Sequence, residues 1–154
     1  MHLIEDSRQQ AGKHETKHAI WNAHGVSHHR CALPCGDYAL FPSVSVDTKA
    51  SMAEIAQNIG GSAAEHNRFK RELQLAQANG CHLYVLVENT DGIRSIADVV
   101  RWVNPRLTES PKAITGERLA KAMATMQERY GVTFVFCTPE QAAGAICLIL
   151  ERGI

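Results

Sequence analysis

Gly36-Asp37-Tyr38, followed after Phe41-Pro42-Ser43 by Val44-Ser45-Val46-Asp47-Thr48-Lys49, is the stretch that decides the architecture. Residues 28–48 hold two or three strand candidates punctuated by Pro34-Cys35-Gly36 and Phe41-Pro42-Ser43, which predicts an antiparallel hairpin or meander. On a strand over 43–49 side chains alternate, so Val44, Val46 and Thr48 share one face while Ser45, Asp47 and Lys49 share the other. A carboxylate and an ammonium then point the same way. If Asp37 opens the preceding strand, it lies beside Asp47 and completes a two-carboxylate cradle. Hard oxygen ligands of this kind suit Mg²⁺ or Mn²⁺. In a site for phosphodiester chemistry a metal would withdraw charge from the phosphate, and Lys49 would orient water or offset transition-state charge. The competing reading of Asp-x-Lys is a solvated strand face with an ion pair.

Outward from this stretch the chain reads as α/β. His2 to Asp6 is a candidate opening strand, and Glu15 to Ala23 a helix stopped by Gly25. Ser51 to Ile59 and Ser62 to Asn79 are helical, bounded by Gly60-Gly61 and Gly80. His82 to Glu88 is a nearly continuous apolar run of buried-strand type. Leu119, Ala122, Met123 and Met126 form a helical stripe, and Thr133 to Cys137 reads as a strand. Thr138-Pro139-Glu140-Gln141 supplies an N-cap hydroxyl, a first-turn proline and a glutamine placed to close a capping box, so the last helix should begin there. Asn104 to Ala113 has two prolines and little periodicity and reads as a connecting loop. One domain over 1–154 and a mixed sheet with helices on both faces are expected.

Sixteen basic residues balance sixteen acidic ones, so no overall field draws the chain to nucleic acid and any affinity must come from a local patch. No run approaches the roughly 18 apolar residues of a membrane span and the N-terminus lacks a signal-peptide layout, so a soluble cytoplasmic protein is expected. The odd cysteine count fits reduced thiols better than a disulfide framework.

Secondary clusters have two readings each. His28-His29-Arg30-Cys31 with Cys35 invites zinc, but in an extended segment His29 and Cys31 share a face while His28 points away, and no second Cys or His pair stands at finger spacing. Lys13, His14, Lys17 and His18 could face phosphate or form a solvated helix side. On the helix from Ser62, Phe69, Leu73 and Ala76 make the apolar stripe with Glu65 and Glu72 at its border. Glu65 and Arg68 are candidate substrate contacts; for Glu72 exposed pairing with Arg68 is the favoured reading.

The order Asp6-Ser7-Arg8, Gly36-Asp37-Tyr38, Val46-Asp47-Thr48-Lys49, a helix with Glu65 to Phe69, then Leu83 to Glu88 resembles the nuclease domain of the XPF family, a branch of the PD-(D/E)XK superfamily. Arg129 to Phe136 also resembles that family's closing segment. The resemblance implies a restriction-endonuclease-like fold and a divalent-metal-dependent endonuclease acting on DNA, structure-specific in repair or recombination. It implies catalytic roles for Asp37, Asp47, Lys49, Asp6 and Arg8, metal ligation by Asp37, Asp47 and Thr48 with Mg²⁺ or Mn²⁺, and a homodimer or heterodimer. Asp47 stands where the family has glutamate, Thr48 where it has arginine, Gln9 where an acid follows the first motif, and Ala53 where an aspartate follows the lysine. No helix-hairpin-helix segment follows. The competing function is a catalytically inactive nucleic-acid-binding or assembly subunit of the same fold; the carboxylates together with Lys49 favour turnover.

Overall fold

The computed structural model describes residues 1–40 and 44–152; the expected turn at 41–43 lies outside them. The strands are β1 (His2–Asp6), β2 (Ser27–Cys31), β3 (Tyr38–Leu40), β4 (Val44–Lys49), β5 (His82–Glu88) and β6 (Thr133–Cys137). The helices are α1 (Glu15–Ala23), α2 (Met52–Gly60), α3 (Ala63–Ala78), α4 (Ile96–Val99), α5 (Gly116–Tyr130) and α6 (Ala142–Arg152). The strands form one sheet in the order β2-β1-β3-β4-β5-β6.

The sheet is mixed. β3 runs antiparallel to both β1 and β4, whereas β4, β5 and β6 are mutually parallel. β3 and β4 are the expected hairpin pair, but β2 does not extend a meander: it pairs parallel with β1 at the sheet's edge. The reason is connectivity, since α1 lies between the two strands and carries the chain back to the same end, as a parallel pair requires. The mostly exposed pattern of β2 suits an edge strand.

Alternation on β5 builds a core on each face. Leu83, Val85 and Val87 pack with Met52, Ile55, Phe69, Leu73, Leu119 and Met123 from α2, α3 and α5. Tyr84 and Leu86 pack on the other face with Trp21 of α1 and Ala143, Ile146 and Ile149 of α6. Because β4 lies in parallel register with β5, Asp47 stands beside Val85 and Lys49 beside Val87. Both polar residues thus occupy the strand face that elsewhere builds the α2-α3-α5 core, and this is why they are buried.

Local signals set the ends. Ser62 accepts from the Glu65 amide while Glu65 accepts back from Ser62, a complete capping box for α3. Gln141 accepts from the Thr138 amide, but 138–141 forms a hydrogen-bonded turn and α6 begins at Ala142. Two short elements lay hidden in the sequence: α4, and a 3-10 turn over Pro105–Thr108 within the expected loop. Among the described residues no helix is long and apolar enough to cross a membrane.

Glu65 also accepts from Gln57, and these hydrogen bonds, Gln57 first and Ser62 next, hold its carboxyl down to about 2. A lowered acid contributes stability that is present above its ordinary value of 4.5 and is lost as pH falls through about 2. The melting-temperature gap between wild type and Glu65→Gln should therefore be largest above pH 4.5 and close toward pH 2. A pH-independent gap would reject this role.

Candidate active site

The parallel pairing of β4 and β5 ends both strands at one edge, and there Asp37, Asp47, Thr48, Lys49 and Glu88 line a cleft of about 340 Å³. Lys13 and His14, just before α1, and Lys17 on it form its other wall. Asp37 sits just before β3 because its amide donates to the Val46 carbonyl at 2.7 Å, and the Asp6 amide donates to the Asp37 carbonyl at 2.7 Å. Asp37 Oδ2 accepts from the Thr48 amide at 2.7 Å and the Thr48 hydroxyl at 2.6 Å. Its Oδ1 has no hydrogen-bond partner among the described residues. The Thr48 hydroxyl is thus committed to orienting Asp37.

Asp47 and Lys49 are a buried ion pair, 4% and 7% exposed, with Lys49 Nζ 2.7 Å from Asp47 Oδ2. The contact is close but off the hydrogen-bonding direction, so Asp47 Oδ2 has no hydrogen-bond partner among the described residues. Lys49 also lies over the Phe69 ring, 5.3 Å from its centroid. Burial pushes the Asp47 carboxyl well above the ordinary carboxylate range; Lys49 draws it back, while Glu72 and Asp37 push it further up. Burial works against the Lys49 charge, but Asp47, Glu72 and Asp37 outweigh it and hold the ammonium above the usual lysine range. Three carboxylates around one buried ammonium leave this end of the sheet short of positive charge.

The other sequence candidates divide. Asp6 grips Arg8, with Nη2 at 2.7 Å and Nε at 2.8 Å from Oδ2, and Arg8 donates on to the Leu33 carbonyl at 2.6 Å. Burial would raise the Asp6 carboxyl, but the Arg8 and Leu33 hydrogen bonds prevail and lower it. This knot pins the segment that leads into Gly36-Asp37, next to the cleft and not in its lining. Glu65 is spent on the α3 cap and Gln57, Arg68 is exposed, and neither lines the cleft.

Two acids outside the expected set belong to the site. Glu72, half-buried on α3, accepts from the Gly36 amide at 3.1 Å, and its charge acts on Asp47, Lys49 and Arg8. Its place at the border of the apolar stripe was the available signal. Glu88 ends the apolar run of β5 and pairs with Lys17 at 2.6 Å. An acid closing a buried strand parallel to the Asp-x-Lys strand was the signal there.

The residues fit a divalent cation, since Asp47 Oδ2, which has no hydrogen-bond partner beyond its ion pair with Lys49, and Asp37 Oδ1 are hard donors in a cleft lined by more acidic than basic side chains.

Among the solved structures that share this fold are XPF from Aeropyrum pernix and XPF from Aeropyrum pernix in complex with DNA. Each has a TM-score of 0.68 and 20% identity to this chain. The matches cover 98% and 97% of this chain but 64% and 63% of those chains, so this chain spans just under two thirds of their length. No curated protein matches. The model of the ERCC4 domain matches residues 5–149. With its six-stranded mixed sheet and this match over nearly its whole length, the chain belongs to the ERCC4 domain family, the XPF-type nuclease domains of the restriction-endonuclease-like fold.

Proposed function

We propose that this chain is a divalent-metal-dependent endonuclease that hydrolyses phosphodiester bonds of DNA at the Asp37–Asp47–Lys49 cleft. The observation that carries the reading is the convergence of the buried Asp47–Lys49 ion pair and Asp37 on one cleft at the ends of β4 and β5. Asp37 and Asp47 would hold Mg²⁺ or Mn²⁺, which when bound supplies charge withdrawal from the scissile phosphate and acidifies the attacking water. Thr48 keeps Asp37 aimed through two hydrogen bonds. Lys49 delivers positive charge to the pentavalent transition state, and in the buried setting that charge acts more strongly than in water. Asp6 and Arg8 act as positioning residues through the Leu33 segment. Glu72 holds the Gly36 amide and so the approach to Asp37.

Lys13 is placed to meet the DNA backbone along the α1 wall, while Lys17 is already paired with Glu88 at 2.6 Å and burial, with Lys17 beside it, holds the His14 imidazole below its usual range. With formal net charge zero, affinity rests on that patch. For one or two phosphate contacts, raising salt from about 50 to about 200 mM should weaken binding about 3- to 12-fold. Salt-independent tight binding would point to base stacking and reject the patch.

The deciding experiment incubates labelled single-stranded, duplex, flap and four-way DNA with the protein and Mg²⁺, Mn²⁺ or EDTA. Cleavage with metal and none with EDTA supports the reading. Salt-sensitive DNA binding without cleavage under either metal would replace it with the inactive binding or assembly subunit.

A further inference from the structure

Outside the cleft, on the α1 side of β1, three ligand-type side chains meet. Glu5 is 2% exposed and directs its two oxygens to different partners. Oε1 faces the Arg30 guanidinium, with Nε at 3.7 Å. Oε2 faces two imidazoles, with His18 Nε2 at 2.8 Å and His28 Nε2 at 3.9 Å. The two rings stack with centroids 4.1 Å apart and planes 26° apart, so both present Nε2 to the same oxygen. The three ligand atoms all lie within 4.8 Å of one another.

That spacing is close to what a transition metal needs. With metal–nitrogen and metal–oxygen bonds of about 2.0–2.2 Å, tetrahedral ligand atoms stand about 3.3 Å apart. The observed 2.8 and 3.9 Å bracket this value, and a shared ion requires the imidazoles to turn out of their stack so that both Nε2 lone pairs, which lie in the ring planes, converge on it. Two imidazoles and one carboxylate form a borderline donor set suited to zinc, unlike the all-oxygen donors of the cleft.

We propose that Glu5, His18 and His28 form a second metal site, for a zinc-class divalent ion with water in the fourth position, that staples α1 to β1 and β2. The three ligands come from three elements, so the ion would bridge all of them. Trp21 is the one fully buried side chain of α1, so this helix has little apolar anchorage of its own. One turn before His18 stands His14, the N-cap of this helix, and next to His18 stands Lys17, both in the cleft wall. Fixing α1 would fix that wall. His28 thus takes part in ligation with partners remote in sequence, and not with its neighbours Cys31 and Cys35.

The test uses the full chain stripped of metal. Zn²⁺ alone should raise the melting temperature by about 5 °C or more and saturate at one high-affinity ion. Millimolar Mg²⁺ should not compete. Asp47→Asn should keep this site, which separates it from the cleavage site, while His28→Gln should weaken Zn²⁺ binding about 100-fold or more in competition with a chromophoric chelator. In wild type, Zn²⁺ should also shift the imidazole NMR signals of His18 and His28, a readout that stands if the variant fails to fold. Absence of Zn²⁺ binding, equal affinity in folded His28→Gln, loss of the site in folded Asp47→Asn, or unmoved imidazole signals would each overturn the proposal.

Discussion

Asp47→Asn is expected to lower metal-dependent DNA cleavage about 10²-fold or more while leaving DNA binding intact or slightly tighter. The amide keeps the shape of the buried side chain but lacks the charge that would hold a cation. Asp47 is the strongest of the groups that hold the Lys49 charge against burial, with Glu72 and Asp37 supplying the rest, so the variant should fold with a lowered melting temperature. The complementary change is Lys49→Met, which keeps most of the aliphatic stem and removes the ammonium that lies over Phe69. It should retain the metal and lose turnover by a similar factor. Its stability cost is larger than a surface lysine would give, because breaking a buried pair leaves Asp47 without its cation. The raised Asp47 carboxyl tempers that cost, since the group can take up a proton instead of remaining a lone buried charge. Cleavage rate, Mn²⁺ affinity and melting temperature measured side by side check both variants. Wild-type cleavage in either folded protein would reject the catalytic roles.

Gly36→Ala should cost about 3 kcal/mol or more and suppress cleavage far beyond its small volume change. Gly36 has φ +73°, in the left-handed region, and an added Cβ would fall on the Ser45 hydroxyl and lie 3.1 Å from the Val46 carbonyl. Neither neighbour is free to yield. The Ser45 hydroxyl donates to the Cys35 carbonyl at 2.6 Å, and the Val46 carbonyl accepts the Asp37 amide at 2.7 Å. Relief of the clash therefore moves Asp37 itself and loosens the Gly36 contact with Glu72. Chemical denaturation and cleavage assays on the same preparation test this. A variant of wild-type stability and activity would show that the turn tolerates a side chain and that Asp37 does not depend on it.

Much of this was legible before any coordinates, and the successes share a cause. Val44 to Lys49 alternates with period two, so the common face of Asp47 and Lys49 followed from strand geometry alone. The apolar runs of β5 and β6 and the stripe of α5 are local patterns in the same sense, and they placed a sheet between layers of helix. Glu65, expected as a substrate contact, closes the α3 cap instead; Ser62-Ala63-Ala64-Glu65 spells that capping box, a local signal the expectation passed over.

Most strands and helices, the alternation on β4 and the Gly-Asp turn were legible in the sequence because each depends on residues within a few positions of one another, whereas α4 and the 3-10 turn were not. Tertiary structure alone decided which partners those residues meet. Parallel pairing of β4 with β5 brings Glu88 to the Asp47–Lys49 edge and lays α3 over it, so that Glu72 reaches the Gly36 amide 36 residues away. The crossover through α1 turns β2 parallel to β1 and sets His28 and His18 on Glu5, which local spacing could not foresee. The physical reason is range: backbone periodicity is set by neighbouring dihedrals, whereas burial, ion pairing and the shift of Asp47 arise from groups that only chain folding brings within a few ångströms.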